Sequence, residues 1–245
     1  MAIRPARCPA LTQVDFISTI ASAMATSTER PLARLLQLAS PALPVGAYSY
    51  SQGLEAAIEA GVVQDAASAG RWIADVLAHS LARMEAPVLL RLCAAWRAGD
   101  AAAAERWNAL FLAGRETAEL RAETAQMGYS LAQLLPELGL GEVPLEEPSF
   151  PAAFAFAVAA WRIDAHEALV AYLWSWTENQ VLAVVKTLPL GQTDGQRLLV
   201  DLGARLDEIA RSAARLADDG LVNFAPGLAI LSARHETQYT RLFRS

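Results

Sequence analysis

The sequence predicts an all-α, single-domain helical bundle with interhelix loops rich in proline and glycine. Apolar residues recur three and four positions apart over long stretches, which is the period of one face of an α-helix. No stretch alternates apolar and polar residues for long, and no Asn-Gly or Asp-Gly turn separates two strand-like runs. A chain of 245 residues, 54% of them hydrophobic, is long enough to bury one substantial core.

Side chains that accept hydrogen bonds from free helix amides mark where helices begin in the first half of the chain. Asp65 precedes an apolar run that continues through Leu81. Pro87 is expected to kink or restart this helix, because proline lacks an N–H. Asp100 is expected to cap the next helix, over Ala101–Leu112.

The middle of the chain predicts two longer helices separated by a connector. The first covers 116–135 and is expected to end at Pro136, whereas the second begins after Asp164 and continues through Lys186. Between them, 139–151 is rich in glycine and proline and is expected to be a surface connector.

A further amphipathic helix is predicted over the stretch that contains Leu198, Leu202 and Leu206. Thr193 and Gln196 have the spacing of a capping box, in which two side chains satisfy two amide donors at the helix start. Gly220 is expected to end this helix.

The chain divides into three parts. Residues 1–29 are expected to form a variable, partly mobile segment, 30–233 an all-helical domain, and 234–245 a C-terminal tail that is expected to bind a partner. Composition alone does not distinguish this from a tail docked on its own domain. A partner-binding tail is expected to be mobile in the free protein and to become ordered on its partner.

Composition and charge exclude several classes of protein. With 20 Lys+Arg and 26 Asp+Glu, the net charge of −6 argues against a nucleic-acid binder, which needs a basic face. The longest apolar run, Ala152–Trp161, is about half of the ~20 residues that a membrane helix needs, so no membrane association is expected. Gln13 and Asp15 interrupt the only stretch that resembles a secretion signal. The two cysteines, Cys8 and Cys93, suit a reducing cytosol, and the expected location is cytoplasmic.

The sequence offers no convincing catalytic, cofactor-binding or metal site, so the chain is not expected to be an enzyme. His79, His166 and His235 are isolated, and none pairs with a second ligand at metal-binding spacing. Lys186 and the threonine after it resemble the end of a phosphate-binding loop, but the preceding residues include no glycine that could form its backbone cradle.

Three polar and aromatic segments stand out because packing alone does not require them. The first is a Pro/Gly-rich loop over 36–55 that is expected to expose Tyr48, Ser49, Tyr50 and Ser51 together. The second is the corner at 186–196, and the third is the tail at 234–245, where arginines flank an apolar pair.

In this order the three segments resemble the motifs of the urease accessory protein F family, over about residues 30–245. Ala47, where glycine is common in that family, is a small departure. The resemblance implies an all-helical, dimer-forming scaffold that joins an accessory protein of the D type (also called H) to the accessory GTPase of the G type. This complex would insert nickel into apo-urease, with nickel and GTP handled by the partners and no cofactor in this chain. The candidate partner-binding residues are Tyr48, Ser49, Tyr50, Glu55, Lys186, Gln192, Gln196, Gln238, Tyr239, Arg241, Leu242 and Phe243.

Two alternative functions remain open at the level of sequence. The chain could activate the GTPase in trans, which would require an exposed arginine or glutamine placed against the nucleotide. It could instead be an unrelated helical protein that binds a small molecule between Trp161, Trp174 and Trp176.

Overall fold

The computed structural model describes residues 31–245, so the expectations for residues 1–29 and for Cys8 lie outside the described part of the chain. Over 31–245 every regular element is a helix and there is no strand, which confirms the predicted all-α class. The α-helices are α1 (Pro31–Ala39), α2 (Leu54–Glu59), α3 (Ala66–Val76), α4 (Ala86–Ala98), α5 (Ala101–Ala113), α6 (Ala118–Glu137), α7 (Phe150–Ala160), α8 (Ala165–Thr187), α9 (Gln192–Ala214) and α10 (Pro226–His235).

Helix α7 lies at the centre of the core. It carries apolar residues on every side, and all of its residues from Pro151 to Val158 are buried. A helix that is apolar all round must be enclosed by others, and α4 and α6 pack along it. Trp96 on α4 fixes one of these contacts, because its indole N–H donates to the carbonyl oxygen of Ala152 at 3.1 Å.

Helix α8 is the second organising element, and it holds the parts of the molecule that carry the predicted motifs. It packs against α9 along its length and also contacts α1, α2, α4 and the 3-10 turn Ala47–Ser49. Asp164 caps its start, as predicted, and accepts hydrogen bonds from the amides of His166 (2.9 Å) and Glu167 (3.1 Å).

The chain from α3 to α4 is one continuous helical rod whose winding changes before Pro87. The segment Leu77–Glu85 is π-helical, and α-helical winding restarts at Ala86, as expected for a proline at this point. Because Pro87 has no N–H to offer the carbonyl four residues earlier, the oxygen of Arg83 accepts instead from the amide of Val222 at 3.2 Å.

Two predicted helix starts are confirmed in detail. Asp65 caps α3 and accepts from the amide of Ser68 at 2.7 Å, while the Ser68 hydroxyl accepts from the amide of Asp65 at 3.0 Å. Asp100 caps α5 by accepting from the amide of Ala103 at 2.8 Å.

The predicted boundaries of two helices are wrong. Helix α6 begins after Thr117 and passes through Pro136, because the φ of proline is helical and the chain turns only at Gly139, where φ is 75°. Helix α9 begins after Gly191 without a side-chain cap, so Thr193 and Gln196 form no capping box; the helix ends at Ala214 rather than at Gly220.

A glycine in α6 allows the connector between α6 and α7 to cross the helix closely. A Cβ atom on Gly128 would lie 2.0 Å from the carbonyl oxygen of Pro148, so no other residue fits this crossing. The end of the connector is therefore packed against the core rather than free on the surface, and Ser149 is fully buried. No helix between residues 31 and 245 is long and apolar enough to span a membrane.

Candidate partner-binding site

The three segments singled out in the sequence meet at one place on the surface. The Lys186 ammonium at the end of α8 lies 5.9 Å from the centre of the Tyr48 ring and 5.8 Å from that of the Phe243 ring. Both distances suit a cation–π contact, in which the ring face attracts the positive charge. Tyr48, Lys186 and Phe243, called here the lysine–aromatic cluster, thus join the loop, the corner and the tail.

The loop before α2 turns one tyrosine outward and the next one inward. Gly46 adopts a left-handed conformation (φ 79°) and starts the 3-10 turn that carries Tyr48. Tyr48 is 62% exposed, but Tyr50 is only 6% exposed and Ser51 is fully buried. The expectation that this loop exposes all four of its tyrosines and serines is therefore wrong for Tyr50 and Ser51.

The tail is docked on the domain, so the expectation of a mobile tail in the free protein is wrong for this structure. The amide of Arg244 donates to the carbonyl oxygen of Ser49 at 2.8 Å. The main-chain oxygen of Ser245 accepts from the amides of Ser51 (2.7 Å) and Gln52 (3.1 Å) and from the Ser51 hydroxyl (2.6 Å). These backbone contacts are possible because Ser51 and Gln52 leave their own amides free at the turn before α2.

Glu55 acts inside the molecule rather than on its surface. Its buried carboxylate accepts from the backbone amides of Leu242 at 2.7 Å and Phe243 at 3.0 Å. This anchoring buries one apolar side chain of the tail and exposes the other, since Phe243 is 7% exposed and Leu242 is 69% exposed. Glu55 therefore positions the tail, and of the two apolar residues only Leu242 is available to a partner.

A buried histidine links the tail to two helices. The His235 Nδ1 atom lies 2.7 Å from Glu119 and its Nε2 atom 3.3 Å from Glu55, and the side chain has no exposed surface. Each ring nitrogen of His235 therefore faces one carboxylate, and the ring lies between α2 and α6. Glu119 also binds Arg241 at 2.5 Å, so the guanidinium of the tail completes this network at the surface.

A polar cluster lies beneath the end of the tail. Glu123 on α6 accepts from the Gln52 amide group at 2.6 Å and from the Ser245 hydroxyl at 2.8 Å. Burial raises the pKa of Glu123 to about 7, although both hydrogen bonds act in the opposite direction. A cavity of about 40 Å³ lies beside it, and Glu85 and Arg115 also line this space.

The remaining candidate residues are accessible but stand apart from these networks. Gln192 and Gln196 are exposed on the first turns of α9 and make no side-chain hydrogen bond with any residue that the structure describes. Tyr239 is fully exposed, and the side chain of Gln238 donates to the carbonyl oxygen of Thr240 at 2.9 Å.

The three tryptophans that suggested a small-molecule pocket lie against three different partners. Trp161 stacks under the Arg34 guanidinium at 4.8 Å. Trp174 packs against α9 at Gly203, and the Trp176 indole donates to the Gln52 side-chain oxygen at 2.7 Å. They do not form the shared pocket that this alternative requires.

The histidines have separate environments as well. His79 is exposed on the π-helical segment, and His166 pairs with Asp207 at 2.6 Å on the surface between α8 and α9. Within 31–245 no group of three or more His, Cys, Asp or Glu side chains is placed to hold a metal ion.

Sequence reasoning missed the acidic residues that hold the tail. Glu119 and Glu123 lie four residues apart on α6, and this spacing places them on one face of a helix. The interpretation of His235 as an isolated histidine overlooked its two carboxylate neighbours, which come from distant parts of the chain.

Comparison with known proteins identifies the family of this chain. The family model for UreF matches residues 63–203. The urease accessory protein UreF of Azoarcus sp. (strain BH72) is 61% identical over 224 residues, which is 88% of this chain and 96% of that protein. The chain belongs to the UreF family. The UreF protein of Dechloromonas aromatica (strain RCB) is 55% identical over 222 residues, 87% of this chain and 97% of that protein.

Another relative is a longer protein that combines two accessory functions in its name. The bifunctional urease accessory protein UreEF of Bordetella bronchiseptica is 50% identical over 246 residues, which is 94% of this chain but 57% of that protein. Members of the UreF family are accessory proteins of urease. This chain is therefore a non-catalytic accessory factor of urease.

Proposed function

We propose that this chain is a cytoplasmic scaffold that joins a D/H-type accessory protein to the accessory GTPase during nickel insertion into apo-urease. In this proposal the chain acts as a homodimer, and nickel and GTP are handled by its partners. The observation that carries the proposal is the meeting of loop, corner and tail at the lysine–aromatic cluster.

The surface around the cluster has the composition of a protein interface. Tyr48 is exposed beside the Lys186 ammonium, and Tyr239 and Leu242 are exposed side chains of the tail that also carries Arg241. Tyrosine and arginine are enriched among the residues that dominate binding energies at interfaces. The surface is also held in place before binding, because Glu55 fixes the backbone of the tail; this lowers the entropic cost of association.

The fused relative supports the view that proteins of this family work with other accessory proteins. In Bordetella bronchiseptica one chain carries the UreEF name, and this chain matches only part of it. Two accessory functions in one polypeptide are useful when both act in one assembly, and the scaffold role assigns this chain to such an assembly.

A pull-down with paired surface variants tests the proposal. Lys186→Ala and Tyr48→Ala should reduce capture of the accessory GTPase by at least tenfold, because each removes one side of an exposed cation–π contact and part of the proposed interface. The thermal midpoint should change little, since both side chains are exposed.

Arg106→Ala provides the matched control. Arg106 is an exposed cation on α5, a helix that contributes none of the candidate partner-binding residues. Its substitution should leave capture of the GTPase unchanged. Capture that survives both cluster substitutions would remove the cluster from the interface, and GTP turnover measured in the same samples tests activation of the GTPase in trans.

A further inference from the structure

The end of the tail covers a carboxyl group that is otherwise enclosed by the protein. Glu123 is 5% exposed, and one of its oxygens is bound by the Ser245 hydroxyl of the tail. The other oxygen is bound by the side chain of Gln52, whose backbone amide also holds the main-chain oxygen of Ser245. Displacing the tail therefore removes one donor from Glu123 and opens its carboxyl group to water.

Gln52 is held rigidly in this arrangement. Its φ of 51° is in the left-handed region, which a residue other than glycine adopts only when its surroundings enforce it. The Trp176 indole can only donate, and it donates to Oε1 of Gln52 at 2.7 Å. The amide NH₂ of Gln52 must then face Oε1 of Glu123, so this oxygen always accepts a hydrogen bond. A proton on Glu123 therefore has to lie on Oε2, the oxygen that faces Ser245.

The charged groups around Glu123 do not neutralise it directly. Arg115 precedes α6 and is bound to Glu85 of the π-helical segment at 3.2 Å, and Glu85 also accepts from the Tyr172 hydroxyl of α8. Glu85 opposes ionisation of Glu123 and Arg115 favours it. Tyr50 lies on the side of the loop and the tail, where Arg244 interacts with it.

We propose that the tail is a proton-linked latch: docking of the tail over Glu123 takes up a proton, and release of the tail gives it up. The hydroxyl of Ser245 suits both states, because it can donate to the carboxylate or accept from the carboxylic acid. The latch is a property of this chain by itself and goes beyond the proposed scaffold role, so it can be tested without any partner.

The direction of the pH dependence follows from the pKa of Glu123 in the two states. With the tail docked, burial holds this pKa at about 7; release of the tail exposes the carboxyl group to water and lowers its pKa towards the 4.5 of an ordinary glutamate. A group whose pKa is raised in the docked state stabilises that state most fully below 4.5, and the stabilisation is lost as the pH rises through 7. Docking should therefore tighten as the pH falls below 7, by up to about tenfold per pH unit, and should be constant above about pH 8.

Hydrogen exchange of the intact chain, read by mass spectrometry or NMR, tests this latch. The amides of Leu242, Phe243 and Arg244 are bonded only when the tail is docked. After correction for intrinsic exchange, their protection should rise by about tenfold or more between pH 7 and 5.5 and stay level between pH 8 and 9. In Glu123→Gln, which keeps both hydrogen bonds without a charge, the protection should be independent of pH.

Glu178→Gln is the matched control, because burial also raises the pKa of Glu178 but its side chain bonds no residue of the tail. This variant should keep the pH dependence of the native chain. If Glu123→Gln fails to fold, Glu123→Met replaces it as an uncharged side chain of similar volume, with the same expected loss of pH dependence.

Three results would overturn the latch. The first is tail protection in the native chain that does not vary between pH 5.5 and 8. The second is pH dependence that persists when Glu123 is replaced, which would assign it to another group of the docking surface such as His235. The third is tail protection equal to that of the amides of α7, which would mean that the tail opens only when the whole domain unfolds.

Discussion

Replacing Glu55 should release the tail and destabilise the domain. In Glu55→Ala, the amides of Leu242 and Phe243 lose the carboxylate that accepts from them, and His235 loses one of its two carboxylate neighbours. Each buried donor left without an acceptor costs about 1–3 kcal/mol. The chain has a way to limit this cost, because the tail can leave the domain and expose its amides to water.

The size of the effect is therefore bounded by the free energy of tail docking. Phe243 contributes about 1.5–3 kcal/mol to docking through its buried ring. The hydrogen bonds from the tail amides to the Glu55 carboxylate add about 1.5–3 kcal/mol each, and the ordering of the tail opposes these gains. We expect Glu55→Ala to lower the free energy of unfolding by about 2–4 kcal/mol, which corresponds to a fall of roughly 4–16 °C in the thermal midpoint for a chain of this size. The amides of the tail should lose their protection against hydrogen exchange at the same time.

Thermal unfolding followed by circular dichroism measures the first effect, and hydrogen exchange of the tail measures the second. Glu59→Ala is the control, because Glu59 is an exposed carboxylate at the other end of α2 and should shift the midpoint by little. A midpoint of Glu55→Ala within 1 °C of the native value, with the tail still protected, would refute the view that this carboxylate anchors the tail.

Three further predictions concern packing, self-association and nucleotide binding. Gly128→Ala should abolish or severely reduce soluble folded protein, because its Cβ would lie 2.0 Å from a backbone oxygen and would prevent the normal crossing of the connector. Gly227→Ala is the control and should have almost no effect, because the space around its Cβ is open. The purified chain should self-associate, since exposed apolar side chains such as Leu32, Leu36 and Phe224 remain on its surface; sedimentation as a clean monomer well above micromolar concentration would contradict this. Calorimetry should detect no tight binding of GTP, because the residues before Lys186 form a helix rather than a glycine-rich loop.

Local sequence signals were sufficient for most of the fold. The caps at Asp65, Asp100 and Asp164 lie where the sequence places them, because each depends on a side chain and an amide two or three residues away. The errors at Pro136 and Thr193 have a common cause. Several residues near these helix ends satisfy the same local rule, and the choice between them depends on packing against other helices.

The candidate site was predictable only in outline. The polar and aromatic segments were visible in the sequence because they interrupt the apolar period of the helices. Their roles were not, since Tyr48 and Tyr50 have the same chemistry and only the 3-10 turn decides which of them is exposed. The docking of the tail depends on Glu55 and Glu123, which are distant in sequence from Phe243 and Ser245, and no local pattern connects them.

The scaffold role is tested most directly by a bridging measurement. The D/H-type accessory protein is immobilised, the accessory GTPase is added, and the amount of GTPase retained is compared with and without this chain. We expect the GTPase to be retained only when the chain is present. We also expect the chain with both Tyr48→Ala and Lys186→Ala to bind the immobilised protein but no longer to retain the GTPase. Retention of the GTPase without the chain, or equal retention by the native and doubly substituted chains, would contradict it.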